Sequence, residues 1–169
     1  MSEQELRNLQ VYIGKRNQSQ TDEQVIEHIQ NINDKKPLTE EEWCKLIFPC
    51  CNNGYSEVLK FVLEHIKSLN NVKEYMIHTV YGRNENINEQ RIEVLKELIK
   101  YLKENKKEYL NETMISACWF GETKIVKFLI ENGASIDYKN QNGLGLLECS
   151  ERAEKQFKDS SLKEFLNKQ

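Results

Sequence analysis

Gly121-Glu122-Thr123-Lys124-Ile125-Val126-Lys127-Phe128-Leu129-Ile130-Glu131-Asn132-Gly133 reads as a short amphipathic helix held between two glycines. Its apolar residues Ile125, Val126, Leu129 and Ile130 stand at i, i+1, i+4 and i+5, one wide face of a helix. Three other stretches share the pattern: Val25-Ile26 with Ile29, Val58-Leu59 with Val62-Leu63, and Val94-Leu95 with Leu98-Ile99. The first keeps three of the four positions, since Gln30 takes the last. Aligned on Val25, Val58, Val94 and Ile125, the four are separated by 33, 36 and 31 residues. A recurrence of that length signals stacked supersecondary units.

Each of the last three copies has a shorter helix before it. Thr39 and Glu42 form a capping-box pattern that opens a helix over 40–52, ended by Gly54. A second such helix spans 112–119 and ends at Gly121. Glycine suits both ends, because a tight turn between helices often needs a positive φ. A third spans 72–81 and meets Gly82. It is followed by a polar insertion, residues 83–90, expected to be the most flexible loop.

These residues resemble the ankyrin repeat. The stretch from Gly121 through Gly133-Ala134-Ser135-Ile136-Asp137 is similar to the second helix of that repeat with its exit. Lys139-Asn140-Gln141-Asn142-Gly143 resembles the turn that opens the next unit, and Gly54 to Glu64 resembles the second helix again. The resemblance is carried by 112–147 and 43–66, thins over 72–106 and reduces to periodicity before residue 34. The Thr-Pro-Leu-His-like start of the first helix is absent. Lys45-Leu46-Ile47-Phe48, Glu112-Thr113-Met114-Ile115 and Gly145-Leu146-Leu147-Glu148 stand there instead. The resemblance implies an all-α solenoid of about five two-helix units in a single domain over 1–169. Its expected parts are an N-terminal cap over 1–33, repeats over 34–70, 71–106 and 107–139, and a C-terminal cap over 140–169.

Composition agrees with a solenoid. Of 169 residues, 38% are hydrophobic and 30% charged, enough for a thin core beside a large polar surface. Only two prolines and seven glycines interrupt the chain. A net charge of −3 argues against a globally basic nucleic-acid binder, although Lys103, Lys106 and Lys107 make a local basic cluster. No run is long enough to span a bilayer, and the acidic start Met1-Ser2-Glu3-Gln4-Glu5 does not read as a signal peptide. The five cysteines, Cys44, Cys50, Cys51, Cys118 and Cys149, are odd in number and two are adjacent, a poor disulfide framework. A reducing compartment follows. The expected location is the cytoplasm, or a host cytosol into which the chain is delivered.

The cysteines have a packing explanation. First helices of such a stack lie close together, so two consecutive positions near their ends must be small. Cys50-Cys51 and Ala117-Cys118 stand there, and buried cysteine behaves as a small hydrophobe. An enzyme with a cysteine- or metal-dependent site is the alternative. His65 or His78 would then supply a base, or Cys44, Cys50 and Cys51 with a histidine would hold zinc. The two-to-four-residue paired spacing of zinc ligands is missing, and no phosphate loop, HExxH or EF-hand pattern occurs. The run Glu40-Glu41-Glu42 is explained by the dipole of the helix it starts. No catalytic residue, cofactor or metal is therefore expected.

Surface recognition remains. The resemblance implies that residues just before each turn glycine point into a concave face: Asn52 and Asn53, Val80 and Tyr81, Trp119 and Phe120. Tyr138, Lys139, Asn140 and Gln141 extend that surface along a turn, and Arg83 flanks it. Trp and Tyr often anchor interfaces, and an exposed Trp-Phe pair is unusual without a partner. The competing placement puts Trp119 under the 83–90 loop. The expected function is binding another protein, as an adaptor or as a stoichiometric, immunity-type inhibitor. The expected partner is neither nucleic acid nor membrane, and the free chain is expected to be a monomer.

Overall fold

The computed structural model describes residues 1–15, 20–82, 84–102 and 104–168. It is 68% helical, with no strand among the described residues. The helices come in five pairs. They are α1 (Glu3–Gly14) with α2 (Asp22–Lys35), and α3 (Glu40–Cys44) and α4 (Ile47–Asn53) with α5 (Ser56–Leu63). Then follow α6 (Val72–Thr79) with α7 (Asn88–Ile99), α8 (Lys106–Trp119) with α9 (Thr123–Glu131), and α10 (Leu146–Phe157) with α11 (Ser161–Leu166). First helices pack on first helices, in the order α1, α4, α6, α8, α10; second helices α2, α5, α7 and α9 pack in a parallel layer. The helical-repeat reading therefore holds.

The recurring apolar faces fill the space between the layers. Val25, Ile29, Val58, Leu59, Val62, Val94, Leu95, Leu98, Ile125, Val126 and Leu129 are all buried. Each such side chain contributes roughly 1.5–3 kcal/mol when fully removed from water. Cys50, Cys51, Ala117 and Cys118 are fully buried in the first-helix layer, where the small-residue argument puts them. The middle unit is shifted by one residue. Its buried pair is Thr79-Val80, so Val80 turns inward and does not join the exposed face.

The Thr39–Glu42 box forms as the sequence indicates: the Glu42 N–H donates to Thr39 Oγ1 at 3.3 Å, and the Thr39 N–H donates to Glu42 Oε2 at 2.9 Å. The same boxes open α1, through Ser2 and Glu5, and α2, through Thr21 and Gln24. The helix expected over 40–52 is instead broken into α3 and α4. Pro49 has no N–H to give the carbonyl four residues back, that of Lys45. Gln10 Nε2, from α1, donates to that carbonyl at 2.9 Å. The break thus becomes a link between the first two units.

The helix expected over 112–119 starts earlier, at Lys106, and its beginning repeats that of α6. Asn71-Val72-Lys73-Glu74-Tyr75 and Asn105-Lys106-Lys107-Glu108-Tyr109 both open on an asparagine in the left-handed region, at φ 59°. The two copies touch, with Lys73 Nζ 3.7 Å from Glu108 and 5.9 Å from the Tyr109 ring centre.

The described part of the insertion, residues 84–90, is held by specific contacts. It contains a 3-10 turn, Glu85–Ile87, and runs directly into α7 at Asn88. The backbone N–H of Asn84 and the side-chain amide of Asn88 donate to the two oxygens of Glu122, at 2.7 and 2.6 Å. A buried carboxylate of the next unit therefore fixes the segment.

Candidate protein interface

Along the first-helix layer Phe48, His78, Tyr81 and Phe120, half-buried or exposed, form one connected aromatic strip. Phe48 of α4 meets the buried Tyr75 of α6 at 4.8 Å between ring centres and the exposed His78 at 4.7 Å. His78 lies 6.3 Å from Tyr81, and Tyr81 meets Phe120 edge to face at 5.1 Å. Tyr81 is 66% exposed, the most open large apolar side chain among the described residues. Edge-to-face contact of this kind orients a ring without burying it.

Beside Phe120, Trp119 is half-buried. Arg152 of α10 covers it: its guanidinium carbon is 3.3 Å from the ring centre and Nη1 donates to the Trp119 carbonyl at 3.2 Å. Asn52 is exposed; Asn53 is half-buried, its amide donating to the Pro49 carbonyl at 2.8 Å. At the far end, the Tyr138 hydroxyl donates to Glu112. That bond, to a carboxylate, pushes the Tyr138 pKa up to about 12. Lys139 pairs with Glu148 at 3.1 Å. Asn140 shapes its own turn, its Oδ1 accepting from the N–H groups of Asn142 and Leu144 at 2.9 and 3.0 Å. Gln141 is exposed. Arg83 lies outside the described residues, as does Lys103 of the basic cluster.

The second-helix layer has a different surface. Lys60 pairs with Glu57 at 2.6 Å and reaches Glu97 at 3.8 Å; Lys100 pairs with Glu97, Lys96 with Glu93 and Lys124 with Glu89, each at 2.7 Å. Exposed pairs like these contribute about 0–1 kcal/mol each and keep a face hydrated.

All five thiols are free. Burial pushes the Cys50 pKa well up and that of Cys51 to about 12; contact with Cys149, then burial, raises that of Cys118. Burial, and then Glu40 and Glu41, raise that of the half-buried Cys44. Those four thiols, with raised pKa values, are poor nucleophiles at neutral pH. His65 is stacked on Trp43 at 4.0 Å, with Nδ1 2.9 Å from the Phe61 carbonyl. Among the described residues no three His, Cys, Asp or Glu side chains stand together so as to hold a metal ion. No helix of the described residues is long and apolar enough to cross a membrane.

Sequence reading did not single out Phe48, Arg91, Glu122 or Arg152, and weighed His78 only as a base. Glu122 had a signal. It follows Gly121 as Tyr55 follows Gly54, and Tyr55 is fully buried, so the aligned repeats mark position 122 as inward-facing.

Helix pairs stacked in two layers, without strands among the described residues, define an α-helical repeat protein. The ankyrin-repeat family model matches residues 114–141, from within α8 through α9 to the turn before α10, so that stretch is similar to an ankyrin repeat. Ankyrin repeats generally mediate protein–protein interaction. No curated protein and no solved structure matches the chain.

Proposed function

We propose that this chain binds one protein partner through the aromatic strip of its first helices and acts stoichiometrically, as an adaptor or as a blocker of that partner. The observation that supports this is the contrast between the two layers. Phe48, His78, Tyr81, Phe120 and Trp119 lie on the first-helix layer, whereas the second helices carry ion pairs. Aromatic anchors backed by rigid helices lose little side-chain entropy on binding, and such residues carry most interface energy. Tyr81 and Phe120 form the centre of the proposed contact. Asn52, Trp119, Tyr138, Lys139 and Gln141 lie around it, and Asn53, Asn140 and Arg83 complete the set. The cytoplasm, or a host cytosol, is the proposed place of action.

Affinity capture from native cell extract tests this with three baits: the unaltered chain, Tyr81→Ala with Phe120→Ala, and Glu93→Ala on the second-helix layer. A partner held by the first and third baits and lost by the second supports the reading. A partner held equally by all three, or lost only with Glu93→Ala, places the contact elsewhere.

A further inference from the structure

The most exposed aromatic ring stands next to Gly82, a turn glycine with open space beside it. At Gly54 an added Cβ would lie 2.7 Å from Gln90 Cβ, so that turn is pressed against the start of α7. At Gly82 an added Cβ would meet nothing within 4 Å. The Gly82 turn has φ +78° and precedes the inserted segment. Fixing such a backbone costs conformational entropy, which an interaction from elsewhere must offset.

Arg91 supplies that interaction. It is buried at 4% exposure, and its fork reaches back over the insertion. Nη1 donates to the Gly82 carbonyl at 3.0 Å and Nη2 to the Tyr81 carbonyl at 3.1 Å. Nη1 also lies 3.4 Å from Glu122 Oε1. Glu122, 1% exposed, accepts in turn from Asn84 and Asn88. One carboxylate of the fourth unit therefore anchors the guanidinium and both flanks of the insertion. A planar guanidinium can hold two neighbouring carbonyls at once, which a lysine ammonium does not match.

We infer that Arg91, anchored by Glu122, is a positioning residue for recognition: it fixes the Tyr81–Gly82 backbone and so holds the Tyr81 ring against Phe120 in a preformed contact surface. A buried ion pair often stabilises a fold no more than apolar side chains of the same volume would, and its better-attested effect is to select one geometry. Preformed side chains bind more tightly because less ordering remains to be done. Two hydrogen bonds, one to the Tyr81 carbonyl and one to that of Gly82, would thus present the Tyr81 ring to a partner.

The inference rests on Tyr81 being a contact residue, but its test uses the free, full chain, so loss of the binding reading would leave the measured geometry standing. Ring-to-ring proton NOEs between Tyr81 and Phe120, and exchange of the Asn84 amide, are measured for the unaltered chain, Arg91→Lys and Glu122→Gln. The Trp43–His65 stack of the second unit serves as internal reference. The expected result is loss of at least about half the Tyr81–Phe120 NOE intensity in both variants, exchange at Asn84 faster by about tenfold or more in Glu122→Gln, and an unchanged Trp43–His65 contact. Full NOE intensity in either variant overturns the inference. So does loss of the Trp43–His65 contact in step with the Tyr81–Phe120 one, since the pair would then support the fold as a whole.

Discussion

Arg152 lies over the Trp119 ring and at the same time donates to the Trp119 backbone carbonyl, at 3.2 Å, tying the end of α8 to α10. The arrangement parallels Arg91 at Tyr81. In both units an arginine from another helix takes the carbonyl of an aromatic residue at the end of a first helix.

Trp119 should therefore report on Arg152. In a Trp43→Phe background, where Trp119 is the remaining tryptophan, Arg152→Ala should change the fluorescence maximum and quenching of the indole. Stability should fall by about 1–2 kcal/mol, the range for a partly desolvated cation–π contact. Arg152→Lys should recover part of the stability without restoring the spectrum. An unchanged spectrum in Arg152→Ala would show that the stack is not populated in solution.

Tyr81→Ala should leave thermal melting within about 0.5 kcal/mol of the parent, because the ring is mostly exposed. Against the captured partner it should weaken binding by about 2 kcal/mol or more, read by calorimetry. Trp119→Ala should weaken binding similarly, while its melting also falls through the loss of Arg152. A full-affinity Tyr81→Ala variant would remove Tyr81 from the contact.

Gly54 combines a left-handed backbone, φ +71°, with the 2.7 Å approach to Gln90. Gly143, at φ +74° with nothing within 4 Å, has the backbone cost alone. Gly54→Ala should destabilise by more than the roughly 1 kcal/mol expected at Gly143. Denaturant melts of the two variants measure the difference, and equal losses would mean that α7 yields freely.

The buried thiols should resist chemistry. With folded protein at neutral pH, a thiol reagent should modify Cys44 first, while Cys50, Cys51, Cys118 and Cys149 react only as the chain unfolds. Cys51→Ala should be mild, whereas Cys51→Leu should cost about 1–3 kcal/mol by overpacking. Rapid release of more than one thiol equivalent from folded protein would contradict this.

Glu42 gives the fold an acid-sensitive element. The Met1 ammonium, 2.8 Å away, and then the Thr39 N–H hold its pKa down to about 2. Since the folded-state value lies below the ordinary 4.5, the stabilisation is complete above about pH 4.5 and is lost as pH falls towards 2. Glu42→Gln should flatten that part of the stability–pH curve. Denaturant melts at pH 5, 4 and 3 provide the measurement.

The sequence carried the repeat because burial acts locally on a helix: Val58-Leu59 and Ile125-Val126 must face a core whatever lies opposite. It carried the Thr39–Glu42 cap, whose partners are three residues apart. It also carried the small pairs at 50–51 and 117–118, where two helices approach too closely for larger side chains. By itself, then, the chain determined a two-layer helical stack, and placed Tyr81 and Phe120 where a helix ends.

Tertiary structure alone decided what depends on groups distant in sequence. The break at Lys45-Leu46, ahead of Pro49, is completed by Gln10, 35 residues away from Lys45. The 83–90 segment reads as a loop because its polar residues have no local partner. It is ordered by Glu122, 38 residues beyond Asn84. Trp119 is half covered because Arg152, 33 residues later, folds onto it. Local periodicity reports which face of a helix is buried, whereas a hydrogen bond between units depends on how the units stack, and that register exists only once the whole layer has formed.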